Sequence, residues 1–397
     1  MTAAYAQKAE SDLDFGIYIH WPFCASLCPY CDFNAHVRDD IDHDRWARAY
    51  ARELTTIAGY TGSMRVDSIF FGGGTPSLMR PSTTSAVLES IYANFAVADN
   101  IEITMEANPT SVEADAFADF RAAGVNRLSL GIQALNDNDL AFLGRTHSRD
   151  QALNALEIAN DHFPRVNFDL IYARPGQRPR DWEAELLRAL ALAQKGHLSL
   201  YQLTIERGTR FATRFKRGEF DIPDSDSGAD FYDITQAACE AAGMPAYEIS
   251  NHAVPGEESV HNMLYWRGGL YAGVGPGAHG RIQGRDGRIY ATVAHRAPEV
   301  WLERVEREGH GYHPFNPLTP LERAQERLMT GLRMRDGVKL DRIAALLDEG
   351  IEALINMECV DNLAGAGFVE MDRSANRLMP TQAGMRCLNS VLGYIMR

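Results

Sequence analysis

Three cysteines stand within eight residues, Cys24, Cys28 and Cys31, in the run HWPFCASLCPYCDFNAH. Their spacing is C-x3-C-x2-C, with Tyr30 directly before the third and no fourth cysteine nearby. A cubane [4Fe–4S] cluster ordinarily takes one thiolate per iron. Three thiolates would hold the cube and leave one iron open, which suits chemistry or ligand exchange better than electron storage. Zinc is the competing occupant, but structural zinc sites usually close with four ligands from two separated pairs. Here only His20 and His36 are local fourth candidates, so the spacing favours the cluster. Cys239, Cys359 and Cys387 are scattered singly. Cys239, in the helical run DFYDITQAACEAAG, reads as a buried, inert thiol. A disulfide framework does not fit a chain of this length and spacing.

Elements must carry that loop. Six apolar runs read as strands: GIYIHWP from Gly16, VDSIFFGG from Val66, IEITMEA from Ile101, RLSLGIQ from Arg127, RVNFDLIYA from Arg165 and HLSLYQLTIE from His197. Runs with helical spacing separate them, the first placing Trp46, Tyr50, Leu54 and Ile57 on one face. Thr110–Glu113 and Ser148–Gln151 have the form of capping boxes, and Gly124 falls where a helix should stop. Strand–helix alternation means parallel strands with right-handed crossovers. The cysteine loop, Gly72-Gly73-Gly74-Thr75-Pro76, Glu106 and Gln133 follow or end the first four strands. That is where a (β/α) barrel carries its site, so a partial barrel of six units is expected before a doubly wound sheet.

The 397 residues allow two or three domains. Lys and Arg total 39 against 53 Asp and Glu, a net charge of −14. That balance argues against binding nucleic acid or an anionic membrane. The N-terminal run MTAAYAQKAESDLD lacks the apolar core of a secretory signal, and no stretch approaches a membrane span. Unpaired thiols and an oxygen-sensitive cluster point to the cytoplasm. Pro314, Pro317 and Pro320 in HPFNPLTP mark a linker. Beyond it, helices and a short hairpin, GFVEM and NRLMP, resemble a winged-helix module. From Phe315 onward ten basic residues face eleven acidic ones, so an accessory packing domain is expected rather than a DNA reader. The expected division is 10–250 for the core, 251–313 for a connecting region and 314–397 for the C-terminal domain.

The motifs IYIHWPFCASLCPYCDF, FFGGGTPSL, EITMEANP, RLSLGIQ, LGRTH, FDLIY, YEISNHA, HNMLYW and GVGPGAH stand in one order along the chain. Together they resemble the radical S-adenosylmethionine (SAM) superfamily. The resemblance is to the branch of oxygen-independent coproporphyrinogen III oxidases and their haem-chaperone paralogues, the HemW group. It implies a partial (β/α)6 TIM-like barrel, of α/β class, holding a [4Fe–4S] cluster whose open iron is chelated by SAM. It further implies that Gly73, Gly74 and Thr75 meet the SAM amino end, a close approach that a side-chain-free turn allows. Tyr18 and Tyr30 would flank the cluster, though core packing is an equal reading of each. Glu106 would bind a polar or cationic part of SAM, and a buried carboxylate needs such a partner. Gln133, Arg145 and Asp169 match positions that bind ribose, carboxylate or a second SAM; Arg145 and Asp169 could equally form a structural ion pair. Arg174, where the family commonly shows leucine, would add a cation beside Asp169.

Within this branch the oxidases resemble C-x3-C-x2-C-x-C, whereas this chain has Phe33 at the last position. Only 23 residues precede Cys24, which leaves little room for the oxidases' N-terminal arm. HNMLYW matches the H-N-x-x-Y-W motif of the HemW group. The resemblance therefore implies a haem chaperone that passes haem to a protein acceptor and touches a membrane only through that acceptor. The alternative is a SAM-dependent coproporphyrinogen decarboxylase. His261, Tyr265 and Trp266 become the haem candidates, since histidine and tyrosine serve as axial ligands and the aromatic rings offer flat apolar surface. His252 and His279 are secondary candidates, and His261 has an ordinary structural reading as well.

Overall fold

A computed structural model describes residues 15–62 and 64–397. The N-terminal run read above for a secretory signal, and residues 10–14 of the expected core, lie outside the described residues. β1 (Phe15–Trp21), β2 (Arg65–Gly73), β3 (Ala96–Ala107), β4 (Arg127–Gln133), β5 (Arg165–Tyr172) and β6 (His197–Gln202) lie side by side in chain order and pair in parallel. These are the six expected strands. A doubly wound sheet reverses its strand order part-way; this one never does, so the winding is that of a barrel wall.

The sheet extends further than the sequence indicated. β7 (Asn251–Ala253) joins β6 antiparallel, while β8 (Leu270–Val274) runs parallel to β1 on the opposite edge. β9 (His279–Gln283) and β10 (Ile289–Val293) then continue antiparallel, giving ten strands. The stretch 251–313, expected to connect, thus flanks both edges of the core sheet. β8 escaped the sequence reading because its run, GGLYAGVG, is short and glycine-rich. Its pairing of Phe15 with Leu270 is a long-range choice.

Parallel strands covered on both faces read as near-continuous apolar runs, and β1 is buried along almost its whole length. The helix His43–Thr61 turns Trp46, Tyr50, Leu54 and Ile57 inward, all four buried. Ser148 and Gln151 close a complete capping box on Arg149–His162. At Thr110 only half of the box forms. The Thr110 hydroxyl accepts from the Glu113 amide, but the Glu113 carboxylate turns to the Asn108 amide (2.8 Å) and to Ser77. Gly124 ends Phe117–Ala123 at φ 118°. Cys239 is fully buried, which pushes its thiol up to about 12.

The proline-rich segment is no free tether. His313 and Leu318 donate backbone hydrogen bonds to Val293 and Ile289, so it runs as an added edge along β10, and Pro320 opens the next helix. Beyond it a separate core forms around Leu328, Ile343, Ile355, Leu378 and Ile395. It is covered by a small antiparallel sheet of β11 (Val338–Lys339), β12 (Val369–Asp372) and β13 (Arg377–Pro380). Arg335–Glu240 and Arg386–Asp233 ion pairs link this domain to the helix Ser225–Ala241.

Candidate functional site

The C-terminal ends of the parallel strands open on a cavity of about 1120 Å³. Its wall includes Cys24, Cys28, Cys31, Tyr30, Gly73, Gly74, Thr75, Glu106, Gln133, Arg145 and Asp169. Eleven positions scattered from the first to the fifth strand therefore meet in one space. The cysteine loop leaves β1 and returns through a two-residue pairing of Phe23–Cys24 with His36–Val37. None of its thiols is in a disulfide.

Two donors point at the sulfurs: Thr75 Oγ1 lies 3.4 Å from Cys24 Sγ, and Arg145 Nη1 lies 3.3 Å from Cys28 Sγ. Burial raises the Cys24 thiol and pushes Cys31 up to about 11, so a bound metal would supply the charge that holds them as thiolates. Asn108 joins the two donors, giving its amide N–H to Thr75 Oγ1 (3.2 Å) and accepting from Arg145 Nη2. Arg145 also donates to the Gly131 carbonyl at 2.9 Å. Its buried Nε has no partner among the described residues. The alternative of an Arg145–Asp169 ion pair is not what forms: Asp169 instead accepts from Asn167 (2.9 Å) and Ser129 (3.4 Å).

At the glycine turn every N–H is already used. Gly73 donates to Glu106 Oε2 (3.1 Å), Gly74 to the Trp21 carbonyl (2.7 Å) and Thr75 to the Phe23 carbonyl (2.8 Å). What remains there for a ligand is carbonyl oxygen, the polarity an ammonium group needs. Glu106 takes no cationic partner among the described residues. Burial, then the neighbouring Asp169, pushes its carboxyl up to about 8. Burial raises Asp169 as well. Two carboxyls facing one space, neither in an ion pair among the described residues, an orphaned arginine nitrogen and sulfurs met by donors together form a set that fits a cationic amino acid ligand beside an iron–sulfur cluster. When bound, the cluster would supply an electron and an open iron for the ligand to chelate.

A second cavity, of about 470 Å³, adjoins the first, with Phe33, Gly73 and Glu106 lining both. Tyr18, His20, Phe33, His261, Tyr265 and His279 line the smaller space. Tyr18 thus stands beside the cluster cavity, its hydroxyl donating to His20 Nδ1 (3.0 Å) while His20 Nε2 donates to the Asn34 carbonyl (2.9 Å). Tyr30 stays on the cluster side, against Phe211.

A model of the radical SAM superfamily matches residues 18–189, and one of the HemN C-terminal domain matches 318–387. The structure resembles that of coproporphyrinogen III oxidase (HemN) from Escherichia coli, with a TM-score of 0.79 at 22% identity over 96% of this chain and 90% of that one. That likeness defines the fold. Radical S-adenosyl methionine domain-containing protein 1, mitochondrial, of Bos taurus is 42% identical over 326 residues, 81% of this chain and 74% of that protein. The haem chaperone HemW of Escherichia coli is 39% identical over 72% of this chain and 75% of its own length, and that of Bacillus subtilis 32% over 95% and 97%. The chain belongs to the HemW family.

The HemW-type motif HNMLYW forms the helix Val260–Trp266, started by Ser259. The His261 amide donates to Glu102 (3.1 Å), a buried carboxylate that also holds Arg165 and Arg127. Burial alone would raise Glu102, but Arg127 and Arg165 outweigh it and hold the carboxyl below its usual range. His261 is 1% exposed, with Nδ1 bonded to Ser68 Oγ (2.8 Å) and Nε2 to the Tyr265 hydroxyl (2.9 Å). Burial depresses it to about 3. Trp266 lines neither cavity; it lies under Arg333, 5.1 Å from the guanidinium carbon, at the C-terminal domain. His252 is buried at β7, bonded to Gln236, and does not reach the smaller cavity.

Arg174 turns away from Asp169. It is buried with Glu185 and Asp139 (2.8 Å) and donates to the Ile171 carbonyl, on the outer side of the strand end. Ala173, at φ 57°, makes that reversal. Asn34, Asn108 and Ser68 were missed as supporting residues. Single polar residues in loops or strands carry no periodic pattern, so only folding reveals their partners.

Proposed function

We propose that the protein is a haem chaperone, which binds haem and hands it to an acceptor protein, and that a [4Fe–4S] cluster with exchangeable SAM controls the transfer or an accompanying dimerisation. The observation that carries this reading is the second cavity. It is walled by His261 and Tyr265 of HNMLYW and by Phe33, the residue that stands where the decarboxylating oxidases resemble a fourth cysteine. Relatives named as haem chaperones at 32–39% identity support it. Cys24, Cys28 and Cys31 would hold the cluster. Gly73, Gly74, Thr75, Glu106, Gln133, Arg145 and Asp169 would seat SAM, with Tyr30 beside it. His261 and Tyr265 would shape the haem cavity from within, and Trp266 would brace their helix against the C-terminal domain.

A reducing compartment, which we take to be the cytoplasm, suits six cysteines without a disulfide. No helix among the described residues is long and apolar enough to cross a membrane, and any membrane contact would come through the acceptor.

The deciding experiment is an anaerobic titration of the cluster-loaded protein with haem, followed at the Soret band. Saturable binding, and passage of the bound haem to an apo-haemoprotein on mixing, are expected. Absence of saturable binding sinks the proposal. So does formation of 5′-deoxyadenosine and a vinyl-bearing product from coproporphyrinogen III, which is the outcome the decarboxylase alternative requires.

A further inference from the structure

We infer that the haem iron is taken by His279 at the open rim of the smaller cavity, with Phe33 against the porphyrin face and Arg296 holding a propionate. This deepens the haem reading above and rests on it.

Three histidines line that cavity: His20, His261 and His279. Two of them are spoken for. His20 is buried, one nitrogen donating to the Asn34 carbonyl and the other accepting from Tyr18. His261 is buried with Ser68 and Tyr265 on its two nitrogens. Ligation by His261 would require breaking one of these bonds and opening a packed helix, because its ring also stacks on Phe70 at 5.2 Å. His279 differs. It starts β9, is exposed, and neither ring nitrogen has a hydrogen-bond partner among the described residues. An imidazole with a lone pair open to solvent at a cavity mouth can meet an incoming iron without prior rearrangement.

The surroundings suit a flat dianionic molecule. Phe33 is 61% exposed, an apolar ring left in water at the same rim, and aromatic faces stack on such surfaces. Arg296 also lines the cavity, is exposed, and forms no ion pair among the described residues. By contrast, the nearby Arg281 is closed on Glu326 at 2.7 Å. In a chain with a net charge of −14, an unpaired guanidinium beside an exposed phenyl ring is a carboxylate-binding arrangement.

One residue holds these three in register. Asn34, next to Phe33, donates to the Pro276 carbonyl at 3.0 Å and to the Arg296 carbonyl at 2.9 Å. Gly277 has φ +76°, and a Cβ there would lie 2.7 Å from the Asn34 amide nitrogen. The cysteine loop, the turn before β9 and the segment after β10 are thereby stapled around one opening. The porphyrin, against Phe33, would rest two residues from Cys31 along the chain.

The test is the same anaerobic haem titration, run on full-length cluster-loaded protein carrying His279→Ala, His279→Gly, Arg296→Ala or His261→Ala. The expected result is that His279→Ala weakens haem by about tenfold or more and moves the Soret maximum. Imidazole added to His279→Gly should restore the wild-type Soret position, which a merely structural role would not allow. Arg296→Ala should weaken binding without moving the maximum. Wild-type affinity and spectrum in His279→Ala, or loss that imidazole does not rescue, overturns the assignment. If His261→Ala alone abolishes the spectrum, the chaperone reading survives and this ligand does not. Failure of the wild-type protein to bind haem removes both.

Discussion

The Gly73 amide donates to Glu106 Oε2 at 3.1 Å, and this pair forms part of the wall shared by the two cavities. A strand-end glycine from β2 and a strand-end carboxyl from β3 thus stand between the cluster side and the HNMLYW side. Any ligand that pulls on Glu106 from one side acts on a group that the other side also touches.

Glu106 should therefore report SAM binding as a proton. Its folded-state value of about 8 lies above the ordinary 4.5. In the empty chain the proton is bound on folding, so this group's contribution to stability is complete below 4.5 and is lost as pH rises through about 8. A cationic ligand group reverses the preference. Calorimetry at pH 7 in buffers of different ionisation enthalpy should show release of about one proton per SAM, fading towards pH 9. Glu106→Gln should abolish the release; an unchanged proton count in that variant would assign the proton elsewhere.

Gly74→Ala tests the turn itself. A Cβ there would meet the backbone of Phe23 at 2.6 Å, and backbone cannot swing aside as a flexible side chain can. The strand entering the cysteine loop must shift, at a cost of about 1–3 kcal/mol. Iron content after reconstitution should fall with it, while far-UV circular dichroism stays native. Full cluster loading at wild-type stability would show that the loop tolerates the displacement.

Acid should unfold the protein through its buried histidines. His20 and His252 are lowered to about 4 and His261 to about 3, each by burial first. Their folded values lie below the ordinary 6.5, so the stability they contribute is present above 6.5 and is lost as pH falls towards 4. Each such group costs about 1.4 kcal/mol per pH unit within that window. The melting temperature should drop steeply between pH 6.5 and 5, and His252→Gln should flatten that slope. A melting temperature flat across the interval would contradict it.

Glu102 is the charge that the HNMLYW helix depends on. It receives the His261 amide, the Ser259 hydroxyl at 3.3 Å, and Arg165 and Arg127. Glu102→Gln leaves the buried Arg127 without its anion, while Arg165 keeps Glu257 at 3.0 Å, and breaking such a buried set costs about 3–5 kcal/mol. A denaturant midpoint shift of that size is expected. It should come with lost haem binding even though Glu102 touches neither cavity.

Much of the site could be read before folding, because chemistry that needs several ligands writes them close together or in order. The C-x3-C-x2-C run, the Gly72–Pro76 turn and HNMLYW are short motifs whose members meet through one loop or one helical turn. Strand-end Glu106, Gln133 and Asp169 were also legible, since the alternation of six apolar strands with helices places those ends on one rim. Only the tertiary structure decided which groups are already satisfied. His261 and His279 are equal as letters, yet one has both nitrogens engaged and the other has neither. Arg174 looked like a neighbour of Asp169, and a positive φ at Ala173 sends it to Glu185 instead. The joining of β8 to β1, about 250 residues apart, was equally hidden. Periodicity and spacing are local properties of a chain. Hydrogen-bond satisfaction and solvent access belong to pairs that only packing brings together.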